Sequence, residues 1–229
     1  MTTMLSTVWT LVLKECRLES RGKEVVTLLL CSNMMMSALV GAGLSSAIVE
    51  QAVVSRLFPT ILWVLFLLST TTALARSNEA ELEGRGFEGL LLLGVSGSSM
   101  YSAKVVVTAA LLFFGYAVSC LTLGLFLGQS IGEILPLLLG TGGIISIGVG
   151  SLLVLLAGIA STSRLRGVLL PILAVPLLFP LFFAGVELTA DIVHTRTVDP
   201  SSVWLSLAVG ADVFYFLLGI NLYEASLRD

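Results

Sequence analysis

The sequence predicts an all-α integral membrane protein with six transmembrane helices, on three observations. Of its 229 residues 56% are hydrophobic and only 12% charged, about half the charged share of an ordinary soluble domain. The mean hydropathy of +1.03 is spread along most of the chain, which calls for several spans and not one anchor on a soluble domain. Lys and Arg are distributed unevenly among the segments between the apolar runs, as in a multi-pass topology.

A helix needs about 20 apolar residues to cross a hydrocarbon core roughly 30 Å thick, with every backbone polar group bonded inside the segment. Six stretches meet that test: 25–49, 57–75, 105–127, 134–160, 168–188 and 203–222. The second is the shortest, with Arg56 and Pro59 at its start and Arg76 expected to close it. Ten of the twelve basic residues, Lys14, Arg17, Arg21, Lys23, Arg76, Arg85, Lys104, Arg164, Arg166 and Arg228, fall in alternate segments, against Arg56 and Arg196 in the others. Cationic segments stay on the cytoplasmic side, so both termini are expected there. The first long apolar run is too long for a cleaved leader and is followed by five more, so it is expected to remain as a span.

Two polar segments have a pattern of their own. Before the first span, Leu5, Val8, Trp9, Val12, Leu13 and Cys16 fall on one helical face, with Lys14, Glu15, Arg17, Glu19 and Arg21 mainly opposite, as expected of an interfacial helix with Trp9 near headgroup depth. The stretch 76–104 between spans two and three sets Glu79, Glu81, Glu83 and Glu88 beside Arg76 and Arg85 and closes on Lys104. It is far longer than a turn between spans needs, which marks it as partner-facing, with a solvated charged loop as the bland alternative. Its Gly84, Gly86 and Gly89 spell GxGxxG, but no strand precedes them, so the dinucleotide reading fails. The glycines are expected to divide the segment into two short helices.

Catalytic residues are not expected. One histidine, His194, lies in an external loop with Asp191 and Asp199 near it, too few groups for a metal site or an activated nucleophile. Cys16, Cys31 and Cys120 have neither disulfide nor metal spacing and read as small buried hydrophobes. Gly22-Lys23 is followed by Glu24, with Arg17 where a phosphate-binding loop needs glycine, so any nucleotide belongs on another chain. The net charge of −3 and the scattered basic residues exclude a nucleic-acid surface.

Inside the membrane, Asp212 near the middle of the last span is the leading polar site, since a carboxylate there costs about 2.5–3.5 kcal/mol and must face the bundle or a polar cavity. Asn33 in span one is its candidate partner by polarity. Glu50, Glu133 and Glu187 stand at span ends, where they reach water. Small residues recur at Gly115 and Ser119, at Cys120, Gly124, Gly128 and Gly132, and at Gly142, Ser146 and Gly150, which allows helix backbones to approach closely. Pro171, Pro176 and Pro180 are expected to bend span five.

These residues resemble the CcmB family, cytochrome c maturation protein B or haem exporter protein B. The resemblance is carried by Lys14-Glu-Cys-Arg-Leu-Glu-Ser-Arg21, Leu57-Phe-Pro-Thr-Ile-Leu-Trp-Val64, Glu83-Gly-Arg-Gly-Phe-Glu-Gly-Leu-Leu-Leu92 leading to Ala103-Lys104, Leu170-Pro-Ile-Leu-Ala-Val-Pro-Leu-Leu-Phe-Pro180, and Asp212-Val-Phe-Tyr-Phe-Leu-Leu-Gly219 with Tyr223-Glu224. Gly94 and Val95 depart from the pattern where a proline is expected. The resemblance implies a single transmembrane domain over 1–229, similar to ABC-2-type (type V) exporters, in the bacterial inner membrane or its mitochondrial counterpart. It implies two copies with CcmA-type ATPase subunits, CcmC and CcmD, and transient contact with the chaperone CcmE. ATP hydrolysis on the ATPase would release haem-loaded CcmE. ATP, Mg and haem would all be held by partners, and no haem site is expected here, because Trp9, Trp63 and Trp204 are not clustered. By resemblance 76–104 is a cytoplasmic coupling segment whose stretch around Glu79 to Glu88 is the coupling helix, with Glu79, Glu81, Glu83, Gly84, Arg85, Phe87 and Glu88 as its contact residues. An export permease for lipid, polysaccharide or drug, and a scaffold that moves nothing, are the alternatives. A secondary transporter is disfavoured by the lack of an inverted repeat.

Overall fold

A computed structural model describes residues 9–13, 24–46, 50–83, 96–129, 131–160 and 166–226, with side chains described for 9–13, 27, 30–44, 50–68, 96–129, 131–159 and 173–222. Six long helices follow in chain order: α1 Glu24–Ser46, α2 Gln51–Glu83, α3 Gly97–Phe126, α4 Leu135–Ala160, α5 Arg166–Thr195 and α6 Val203–Ser226. No strand occurs among the described residues. Five of them hold stretches long and apolar enough to cross a membrane: Gln51–Leu68, Gly97–Phe126, Leu135–Ile159, Leu173–Thr195 and Val203–Leu222. In α1 the apolar stretch among the described residues is the shorter Leu30–Leu44.

The bundle is built around α4, which packs against α3, α5 and α6. Its sequence LPLLLGTGGIISIGVGSLLVLLAGIA has no charged group, and 67% of its span is buried inside the protein against 22% for α6. A helix that is apolar all round belongs at the centre, whereas α6 turns Val209, Val213, Phe214 and Leu217 outward, as suits a lipid-facing helix. The small-residue stripe of α4 acts as expected: a Cβ on Gly150 would lie 3.2 Å from the backbone N of Ala109 in α3.

Several boundaries differ from the sequence reading, the second helix beginning at Gln51 and not 57. Arg76 does not end the second helix, which runs on through Ser77 to Glu83, because charge ends the apolar run without interrupting the hydrogen-bond ladder. At 1.5 Å per residue, its 33 residues span about 50 Å, far more than the roughly 30 Å hydrocarbon core. The third helix begins at Gly97, not 105, with Lys104 in its second turn. Ser96 and Ser99 hydroxyls bond each other at 2.8 Å at its start. The fifth continues to Thr195, past 188, and its helical assignment is unbroken at Pro171, Pro176 and Pro180.

Residues 9–13 are helical. Leu11 and Val12 pack with Met100, Tyr101, Val154 and Leu155, while Trp9 and Leu13 are exposed. The buried face is therefore rotated to include Leu11, because the segment docks on the ends of α3 and α4. Residues 84–95, with the expected glycine break and the Gly94-Val95 departure, lie outside the described residues. Cys31 is exposed on α1, not buried, while Cys120 is buried.

Candidate functional site

An aromatic box closes the middle of the bundle. Trp63 of α2 meets Phe66 at 5.4 Å, Tyr116 of α3 at 5.2 Å and Phe182 of α5 at 5.9 Å between ring centroids. Two of these contacts are edge-to-face, the arrangement the ring quadrupoles favour. The Trp63 Nε1–H donates to Thr189 Oγ1 at 2.9 Å, and the fully buried Tyr116 hydroxyl faces the same Thr189 without reaching hydrogen-bond geometry. Glycine makes the room: the indole lies where a Cβ on Gly185 would stand, and the Tyr116 ring where one on Gly142 would stand.

Asp212 of α6 lies on the seam with α4 and α5. It is buried, its Oδ1 has no hydrogen-bond partner among the described residues, and the carboxyl occupies the space that a Cβ on Gly148 of α4 would need. One turn on, the Tyr215 hydroxyl donates to the Leu177 carbonyl of α5 at 2.6 Å. That carbonyl lies on α5 between Pro176 and Pro180. A further turn along, Tyr101 of α3 donates to the Ser151 carbonyl at 2.9 Å, its ring seated over Gly219.

Asn33 is not on this seam. Its Oδ1 accepts from the Ser119 hydroxyl of α3 at 2.7 Å, and one turn away Ser37 and Thr122 hydroxyls bond at 2.9 Å. The two polar candidates therefore belong to separate seams, and polarity alone could not distinguish them. Interhelical hydrogen bonds in membranes average about 0.6 kcal/mol, up to about 1.7. Ser119→Ala should lower bundle stability by about 1 kcal/mol, read as an earlier denaturation midpoint, and an unchanged midpoint would mean that the pair is idle.

At the end of the bundle away from residues 9–13, Gln51 Nε2 donates to the Leu127 carbonyl at 3.3 Å and Ser55 to Gln129 Oε1 at 3.1 Å. Arg196, in the left-handed region at φ 56°, pairs with Glu133. Asp199 Oδ1 accepts from the Ser201 hydroxyl and N–H at 2.7 and 2.8 Å, which hold its carboxyl below the usual carboxylate range. His194 is exposed in the last turn of α5.

Of the coupling residues, Glu79, Glu81 and Glu83 lie on the last two turns of α2, Glu79 and Glu83 sharing a face by their four-residue spacing. Gly84, Arg85, Phe87 and Glu88 lie outside the described residues.

Long apolar helices around a charge-free central one, with a carboxylate held in a seam, define an all-helical integral membrane protein. The model of the family described as CcmB protein matches residues 6–228, nearly the whole chain, and the chain belongs to the CcmB family. It is thereby a membrane component of the ABC-type system of cytochrome c maturation and haem transport. Comparison with curated proteins finds no match.

Proposed function

We propose that this chain couples ATP hydrolysis by a CcmA-type ATPase to release of haem-loaded CcmE. The observation that carries the reading is the length of α2, whose last turns, with Glu79, Glu81 and Glu83, continue beyond an apolar stretch that already suffices to cross the bilayer. A helix continuous with a transmembrane span is a stiff lever, so a push on its acidic end moves the wall of the aromatic box that contains Trp63. Arg85, Phe87, Glu88 and Gly84 would complete the docking surface. ATP binding then favours one bundle arrangement by its differential contacts with the two states.

In this reading the chain is one domain of six spans with both termini in the cytoplasm, in the inner membrane and with an ABC-2-type bundle. CcmC, CcmD and a second copy of the chain are its neighbours, the nucleotide and Mg sit on the ATPase, and haem sits on partner subunits. The test is deletion of the chain followed by staining for c-type cytochromes and haem-loaded chaperone. The reading predicts lost cytochromes with accumulated holo-chaperone; lost cytochromes with no holo-chaperone would contradict a release role.

A further inference from the structure

Asp212 is nine-tenths buried, 9% exposed; the Gly148 N–H faces its carboxyl, but its Oδ1 reaches hydrogen-bond geometry with no group among the described residues. It faces Gly148, where the missing side chain bares the α4 backbone, and Leu181 Cδ1 lies within 3.0 Å of the same point. No ionisable residue occurs in α4 between Leu135 and Ala160. On α5 the ionisable residues are Arg166 at its start and Glu187, Asp191 and His194 toward its other end. On α6 the Tyr215 hydroxyl is committed to Leu177, and Tyr223 and Glu224 stand at the end. On α3, which also touches α6, the Tyr101 hydroxyl is committed to Ser151, Tyr116 and Cys120 belong to the core of the aromatic box, and Lys104 is half-buried in the second turn.

An ionised carboxylate in an apolar seam with an oxygen unbonded is far more costly than the neutral acid, which loses a hydrogen bond at most. We infer that Asp212 is a proton-binding site, its neutral carboxyl seated against the bared backbone at Gly148. The proton then has a structural meaning. While α6 lies against α4 the acid stays neutral, and water entering the seam allows the proton to leave, so seam opening and proton release are linked and each favours the other. This rests on the membrane fold alone and stands apart from the ATPase reading.

Infrared difference spectra of the full chain in lipid nanodiscs at neutral pH test it. Wild type minus Asp212→Asn should show a protonated-carboxyl stretch that shifts in heavy water and is the same with or without sodium. Asp212→Glu, the conservative variant for the case in which the amide does not fold, should keep the stretch at a moved frequency. Gly148→Ala should also move it by displacing the seat. The absence of any carboxyl stretch specific to Asp212 would overturn the proposal in favour of an ionised group paired with Lys104 or water. Loss of the stretch on adding sodium would overturn it in favour of a cation site, and an unmoved stretch in Gly148→Ala would remove Gly148 as the seat.

Discussion

Exchanging Glu83 and Glu88 for lysine is expected to abolish co-purification of the partner ATPase while the bundle remains folded. Glu83 is the last residue of α2, beyond the apolar stretch Gln51–Leu68. The exchange therefore falls outside the part of α2 that is apolar enough to cross a membrane. If the docking groove carries basic residues, two reversals turn attraction into repulsion, and like charges facing one another across an interface cost several kcal/mol. Retained ATPase with a monodisperse bundle would sink the docking assignment. Lost ATPase with an aggregated bundle would assign these residues to folding. Glu79→Lys extends the test on the same helical face one turn back, where a weaker effect is expected.

The second large effect is expected at Trp63. Replacement by alanine removes the centre of the aromatic box and leaves Thr189 without its donor. Large-to-small changes of this kind cost about 3–5 kcal/mol in well-packed cores. In a bilayer the lost term is mainly packing contact, since lipid tails are as apolar as the core. Trp63→Phe keeps an aromatic ring in the box and loses the hydrogen bond and part of the ring contact, so it should cost clearly less than alanine, about 1–2 kcal/mol. Denaturant unfolding in mixed micelles separates the two, and an alanine variant within 1 kcal/mol of wild type would show that the box does not hold the bundle together.

The helices were legible in the sequence because the bilayer imposes a single length scale on apolar runs, and α1 to α6 follow the six stretches. Their ends were not, because hydropathy reports where lipid stops and not where the backbone ladder stops. The run Ser77-Asn-Glu-Ala-Glu-Leu-Glu83 is polar and continues α2, and Ser102 and Lys104 lie inside α3. Asp212 was legible by the cost of a carboxylate in lipid, but its neighbour Gly148 was not, because a glycine shows its use only when another helix supplies the group that fills its place. Trp63 was visible only as one of three scattered tryptophans; Phe66 is its neighbour three residues on along α2, but Tyr116 and Phe182 reach it from two other helices, a convergence that no local spacing encodes. The Asn33–Ser119 bond crosses 86 positions for the same reason. The stripe Gly142, Ser146 and Gly150 was readable, since small residues four apart fall on one face whatever packs there.

The most direct measurement of the coupling account is which side of the membrane each end of the bundle occupies. In a cysteine-free version of the chain, single cysteines at Glu81 and at Thr197 would be labelled in intact cells by a reagent that does not cross the inner membrane. The account predicts labelling at 197 from outside and at 81 only after the membrane is opened. Labelling of position 81 in intact cells would put the acidic end of α2 beyond the reach of any cytoplasmic ATPase and would contradict the account.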